Sequence, residues 1–543
     1  MTGIDDALAR LRRSDPVREA GLSGALAEGI AEAGIRFASI GGPLGDRWIQ
    51  ALRELDACVG PLAPGEDPVL SEGGVYHGAW IESTGTINAE VLDRFAPAVT
   101  RSTHLLFADH ARADGLIPYK VTADGPAFSQ IQIVTPFARS VWRHHLATGR
   151  RDLAHLRRML GVLTANDAWL AAHRDTRRTG AVEAFCTFDT GHDLSPRFWH
   201  VPDRCFHGDA ARFDPASPGL PFIAPDLTAN VVAQRLALAD IAAELGDDAD
   251  PWRERAAVSL AALWEQCFDE NAGMFYDRDA SGGFVRVDSD VLLRVLACGV
   301  GDDAFAAVAL ERHLLSTRRF LGHYGLTSLA LDDPRFDHDA SRNSWGGPSN
   351  FLSMIRAPDA FEPHGRLAEL AVIEQPVLAA LTIADRFPQC LDPWSGTPGF
   401  TSVYSPAILW FLDAVERAAG IRTRHDGGID FGGLVPTRLE HGAAATATAY
   451  ARTIGGIRYE LAGDDERVVV RRDGSPHLEF ARGWHVEADA AGAPVAVVGV
   501  AGGPVAGTFT WPGGALDLAL APNERLALAD GARTSIGFIP PHS

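Results

Sequence analysis

Asp193 stands in "TGHDLSPRFW" (residues 190–199), flanked by a histidine, a Ser-Pro step and two aromatics. Two chemistries suit a carboxylate there. An Asp ahead of Ser-Pro opens a turn or caps a helix. A carboxylate dried by aromatic neighbours has a raised pKa and acts as an acid near neutral pH. Other reactive groupings are sparser. His144 and His145 are adjacent on a helical stretch, where neighbouring side chains point apart, so they make a poor metal pair. The acidic run "DDPRFDHDASRN" (332–343) lacks the spacing of an EF-hand and reads as a solvated loop. The cysteines (Cys58, Cys186, Cys205, Cys267, Cys298, Cys390) are scattered, without the spacing of a zinc site or a disulfide framework. No glycine fingerprint precedes a strand–helix unit, so a dinucleotide site has no support. Nothing in the sequence asks for a metal or another cofactor.

These residues need elements to hold them. From about residue 17 to 420 the dominant period is helical. "IVTPFARSVWRHHLATG" puts Ile133, Phe137 and Val141 on one face, and "RDLAHLRRMLGVLTANDAWLAAH" follows as the second arm of a hairpin. "APDLTANVVAQRLALADIAAELGDD" pairs with "DPWRERAAVSLAALWEQCFDENAG", for which Asp250 is the expected cap, Pro251 the first helical residue and Gly273 the end. "VDSDVLLRVLACGVGDDAFAAVALERHLLST" forms a third hairpin, and "RLAELAVIEQPVLAALTIADRF" with "TSVYSPAILWFLDAVERAAG" a fourth. Long Gly-, Pro- and aromatic-rich loops intervene at 60–87, 114–130, 186–225 and 318–350. A helical-hairpin toroid with its loops gathered at one end would bury these helices and leave a cavity there. After "RHDGGIDFGGL" (424–434) the pattern turns to short alternating runs, "IRYELAG", "RVVVRRDG", "PVAVVGVAGG" and "GTFTWPGG", as in a small antiparallel β-sandwich.

Composition narrows the function classes. The 543 residues are 46% hydrophobic and 22% charged, with a formal net charge of −21. That balance suits a globular protein and argues against nucleic acid or an anionic membrane as partner. No apolar run approaches the roughly 18 residues of a membrane helix, and "MTGIDDALARLRRSDP" lacks the apolar stretch of a signal peptide. A cytoplasmic protein is expected. Its oligomeric state is open.

The loops carry a resemblance. "TGHDLSPRFW" is similar to the "ESG-x-D-x-SPRW" stretch of trehalases and glycoside hydrolase family 63, including the mannosylglycerate and glucosylglycerate hydrolases. "GVYHGAWIES" (74–83), "FSQIQIVTPFARSVW" (128–142), "WEQCFDENAGMFYDRD" (264–279), "FLGHYGLTSLALDDPRF" (320–336) and "SRNSWGGPSNFL" (341–352) follow the order of that family's motifs. The similarity covers about residues 70–420. It implies a mainly α fold, an (α/α)6 barrel of six hairpins, here with the C-terminal antiparallel β-sandwich. It divides the chain into an N-terminal helical segment (1–60), the catalytic barrel (61–421) and the accessory sandwich (422–543). It implies inverting hydrolysis of a small α-glycoside without a metal in the chemistry. Asp193 matches the family's general acid. Trp80 and Glu82 stand where the family has Trp-Asp lining the innermost sugar subsite, and Gln130 matches its "SQ" glutamine. Arg342 and Trp345 match the "WRGPVW" loop, and Tyr404 lies at an aromatic-Ser pair. Asp189 replaces the glutamate of "ESG".

One departure is serious. The family's general base is the glutamate of "F-x-E-x-Y-x-P-x-TG", whereas this chain reads "FPQCLDPWSGTPGFTSVYSPAILWFL" (387–412), with Gln389 at that place. A neutral amide does not take a proton from water. Asp392 is a poor substitute, because the family has an acid there beside its base. Glu374 lies roughly 22 Å away along an unbroken helix at about 1.5 Å per residue. The expectation is therefore Asp193 as acid and Glu82 as base or water-positioning carboxylate, hydrogen-bonded to Gln389 and across the pocket from Asp193. Two alternatives stay open: a sugar isomerase or lyase on the same toroid, and a catalytically silent carbohydrate-binding protein.

Overall fold

The computed structural model describes residues 3–436 and 444–543. Helices dominate the first four-fifths of the chain and an antiparallel sheet region ends it. Ile87–Leu92, Phe137–Ala147, Pro225–Glu244 and Val291–Leu296 pack each on the next. The series continues through the short helices Phe351–Met354 and Ala357–Phe361 to Ser405–Ala419, which packs back on Ile87–Leu92. Pro97–Asp109, Leu153–His173, Asp250–Cys267, Leu367–Ile383 and Leu44–Asp56 lie against this series as an outer layer. The inner helices are buried over most of their surface, polar residues included. Pro225–Glu244 buries residues on every face, as a helix covered on both sides must. None of the described helices is long and apolar enough to cross a membrane.

Local chemistry sets the ends of these elements. Asp152 caps Leu153–His173, its side chain accepting from His155 N at 2.9 Å. Proline opens Pro225–Glu244, Asp250–Cys267 and Ser405–Ala419 at the first turn, where no N–H is needed. Three boundaries differ from the sequence reading. Pro136 delays the first helix to Phe137, leaving Ile133 in the preceding loop. Ala249 is the cap before Asp250–Cys267, and Asp250 pairs with Arg253 at 2.8 Å instead. That helix ends at Cys267, because Phe268–Asp269 and Met274–Phe275 form a hairpin that turns at Gly273 (φ 65°).

The tail holds two antiparallel sheets with a shared core. All four alternating runs quoted from the tail are strands: Ile457–Gly463, Arg467–Arg472, Pro494–Gly499 and Val505–Trp511. The N-terminal segment, read as helical, contributes helices and also the strand Arg36–Ile40. This strand pairs with Ala447–Ile454 to form the edge of the seven-stranded sheet. Glu416, on the last long helix, locks that sheet to the helices. It accepts from Tyr450 Oη at 2.5 Å and Arg452 Nη1 at 2.7 Å, and Arg94 Nε lies 2.9 Å away.

Candidate functional site

The loop that carries Asp193 is nailed down from below. Arg197, almost fully buried, forms bidentate pairs with Asp277 (2.8 and 2.7 Å) and Asp226 (2.9 and 3.0 Å). Its Nη1 also meets His192 Nδ1 at 2.6 Å, and the far side of that ring faces Asp290 at 3.0 Å. Burial and Arg294 push the His192 pKa down to about 3, so the ring is neutral and serves as a spacer. Ser195 caps the short turn Pro196–Phe198, which leaves Asp193 free of that duty. Above the anchor, Leu194 and Trp199 remain 53% and 56% exposed, giving the loop an apolar rim.

The Asp193 carboxyl is bound at one oxygen, where Asn343 Nδ2 donates to Oδ2. Its backbone carbonyl accepts from Trp345 N at 3.0 Å, tying the loop to 341–352. Burial holds the Asp193 pKa well above the usual carboxylate range, and the charge of Glu82 raises it further.

Glu82 is buried against Gly191, where an added Cβ would stand 2.6 Å from Glu82 Oε2. Gly191 has φ 67° and leaves room for the carboxylate two residues before Asp193. Gln132 Nε2 donates to Glu82 Oε2 at 2.7 Å from a backbone held at φ 49°. Burial raises the Glu82 pKa, while Gln132, Arg294 and Arg356 pull it back. Both arginines are buried, and Arg356 Nε and Nη2 have no hydrogen-bond partner among the described residues. Burial drags the Arg356 pKa down to about 9. A third carboxyl, Glu72, accepts from Ser83 and Tyr404, and burial and Glu82 raise its pKa too.

Aromatic rings close the space around these carboxyls. Tyr76 lies 5.8 Å from Trp80 and 5.8 Å from Tyr404, and Trp80 lies 5.7 Å from Tyr119. Lys120 Nζ sits 4.8 Å over the Trp80 ring. Trp345 is buried, 4.8 Å from the His192 ring and 4.7 Å below the Arg294 guanidinium. Gln389 lies on the Asp193 side. Its Oε1 accepts from Tyr76 Oη at 2.8 Å, and its Nε2 donates to Asn343 Oδ1 at 2.8 Å.

Of the residues expected from the sequence, Asp193, Glu82, Trp80, Trp345, Gln389 and Tyr404 therefore gather around one buried polar centre. Gln130 is buried beside it and accepts from Ser129 at 3.0 Å, while its neighbour Gln132 reaches Glu82. Arg342 is exposed, 3.2 Å from Asp339 and 3.6 Å from Asp337, while its neighbour Asn343 reaches Asp193. The expected hydrogen bond between Glu82 and Gln389 is not formed among the described residues, because the Gln389 amide is taken up by Tyr76 and Asn343 and Glu82 is held by Gln132. Asp392 binds His338 at 2.6 Å and caps the turn at Trp394 and Ser395. Glu374 lies elsewhere, in a cavity lined by Leu370, Leu378, Arg417 and Leu434. His144 and His145 pair separately with Asp93 (2.6 Å) and Glu244 (3.3 Å). Tyr76, Gln132 and Asn343 were missed, although each lies within one to four residues of a quoted site residue.

Among the described residues, one group has ligand atoms close enough for a metal: Cys186, Asp189 and Cys205. A cation already fills it. Arg174 pairs with Asp189 at 2.5 and 3.2 Å and reaches Cys205 Sγ at 3.4 Å. Asp189 also accepts from the backbone of Ile131 and Phe185 at 2.9 and 2.8 Å. The cluster is a structural hub beneath the Asp193 loop.

Several solved structures share the fold. The family 63 mannosylglycerate hydrolase from Thermus thermophilus, solved with Tris and D-glycerate, matches at TM-score 0.56 and 19% identity. The match covers 68% of this chain and 99% of that one. The same enzyme with glucose bound gives 0.55 and 20%. Neutral trehalase of Saccharomyces cerevisiae matches at 0.50 and 15%, over 64% of this chain and 73% of the trehalase. Among curated proteins no sequence relative was found. The family model described as the mannosylglycerate hydrolase MGH1-like glycoside hydrolase domain matches residues 77–405, a span that contains Glu82, Asp193, Asn343 and Gln389. This chain belongs to that family of glycoside hydrolases.

Proposed function

We propose that the protein hydrolyses a small α-glycoside with inversion, on an (α/α)6 barrel spanning 61–421 that the sandwich at 422–543 buttresses. Asp193 gives its proton to the leaving oxygen, and Glu82 takes one from the attacking water or orients it. The observation that carries this reading is the setting of Asp193: among the described residues it caps no helix, its carboxyl accepts a single side-chain hydrogen bond from Asn343, and burial and Glu82 raise its pKa. Acid and base are separated by surroundings. Two arginines and Gln132 favour the ionised form of Glu82, whereas Asp193 has only Asn343. Trp80 offers an aromatic face for a sugar ring beside a carboxylate that takes sugar hydroxyls. The mannosylglycerate hydrolase neighbours hold glucose and D-glycerate, which supports a hexose joined to a small aglycone as the substrate class. No observation favours an isomerase, a lyase or a silent sugar-binding protein.

The test is proton NMR of the purified protein with mannosylglycerate and glucosylglycerate. The first-formed sugar should be the β-anomer. An α-anomer at early times rules out inversion, and binding without release of sugar rules out hydrolysis. Asp193→Asn should stay folded and lower turnover by roughly 10²–10⁴-fold, the usual worth of a positioned acid.

A further inference from the structure

Gln389 is a buried amide with both ends in use. Its backbone is fixed on either side, N donating to Phe400 O at 2.9 Å and O accepting from Phe351 N at 3.0 Å. From its side chain runs a continuous series: Tyr76 Oη to Gln389 Oε1 (2.8 Å), Gln389 Nε2 to Asn343 Oδ1 (2.8 Å), and Asn343 Nδ2 to Asp193 Oδ2. Every donor points toward Asp193. The Tyr76 phenol stays protonated, since burial and the charges of Asp193, Glu82 and Glu72 push its pKa up.

We propose that Gln389 is a positioning residue for Asp193, holding it through Asn343 and anchored by Tyr76, and is not the remnant of a lost base. This rests on the reading of Asp193 as the acid. An acid that gives up its proton and regains it needs a neighbour able to serve both states. A side-chain amide does this by turning over, which exchanges donor and acceptor without changing shape. With Asp193 ionised, the series runs as described. With Asp193 protonated, its hydroxyl donates to Asn343 Oδ1, Asn343 Nδ2 to Gln389 Oε1, and Gln389 Nε2 to the Tyr76 oxygen. No proton travels along the amides; only their polarity reverses. A carboxylate at 389 has no donor, so it would face the lone pairs of Asn343 Oδ1 until that amide turned over. Asn343 would then present its oxygen to Asp193 permanently. The series would serve the protonated acid and oppose the ionised one.

The test is Gln389→Glu, measured beside Tyr76→Phe and Asp193→Asn with an alkyl α-glycoside and the matching glycosyl fluoride. Gln389→Glu is expected to lower kcat on the alkyl glycoside at least tenfold, with KM within about twofold. It should also move the alkaline limb of the pH–rate profile upward, because the protonated acid is favoured. The fluoride, which needs less protonation, should lose much less. Tyr76→Phe should give a smaller loss and leave the limb within a few tenths of a pH unit. If Gln389→Glu equals or exceeds wild type on the alkyl glycoside, or loses activity with the limb unmoved, the proposal is overturned. Full activity in Asp193→Asn would instead overturn the acid assignment, whatever Gln389→Glu does. Thermal melting of each variant separates these outcomes from loss of fold.

Discussion

At the scale of the residue, two carboxyls share a buried space and take different roles because their neighbours differ. Glu82 must be ionised to work and Asp193 protonated, so the rate rises with pH through the Glu82 pKa and falls through that of Asp193. Burial raises both. The whole bell should lie at higher pH than a pair with ordinary carboxylate values near 4 would give. A profile of kcat/KM whose acidic limb sits at about pH 4 would show that Glu82 is not the group being read. Glu82→Gln should remove activity as completely as Asp193→Asn, and a mutant with more than about a tenth of wild-type turnover would exclude it as base. Asp193 and Trp80 could be picked out as candidates because the motifs around them match the family's in kind and order, whereas the local chemistry of the Asp193 stretch alone suits a cap equally. Gln132 and Asn343 were not legible. Which of two near neighbours faces the centre depends on one backbone torsion, as at Gln132 with φ 49°, and that torsion is set by the surrounding packing.

At the scale of the element, the Asp193 loop is only as rigid as its anchor. Arg197 satisfies Asp226 and Asp277 together, and all three are buried. Removing the cation strands Asp277 and leaves Asp226 with Arg294 at 3.4 Å, so Arg197→Ala should cost about 3–5 kcal/mol in denaturant unfolding. Arg197→Lys should recover part of this but not the bidentate geometry. A change under about 1 kcal/mol for Arg197→Ala would mean that the pairs contribute little. The helices and their proline starts were legible, since the 3.6-residue period and the first-turn proline are local signals. The hairpin at Gly273 was not. Two-residue strands carry no period, and the helix pattern of "LWEQCFDENAG" continues past the true end at Cys267.

At the scale of the whole molecule, the sheets and helices meet over buried charge. Glu374 lies in a cavity of about 50 Å³ between them, and burial raises its pKa from 4.5 to about 8. The folded protein therefore holds a proton there that the unfolded chain has lost. That contribution is complete below pH 4.5 and disappears as pH rises through 8. Glu374→Gln should melt at a higher temperature than wild type at pH 9, by a gain of at least about 1 kcal/mol, with little difference at pH 5. Equal melting temperatures at pH 9 would mean that the carboxyl is neutralised at no cost. Removing the residues after about 434 should destabilise the helices and leave substrate preference alone, since Glu416 would lose Tyr450 and Arg452. An equally stable truncated chain with altered preference would contradict this.

The strand Arg36–Ile40 has its partner at Ala447–Ile454. As the chain leaves the ribosome, that strand emerges early and must wait for most of the protein to be made before it can pair. Until then its backbone N–H and C=O groups form an open edge that another nascent chain could join. The helical layers can close behind it while it waits, and the pairing with Ala447–Ile454 follows once that strand has been made. Closure across so long a separation is slow, and the edge stays open for as long as that closure takes.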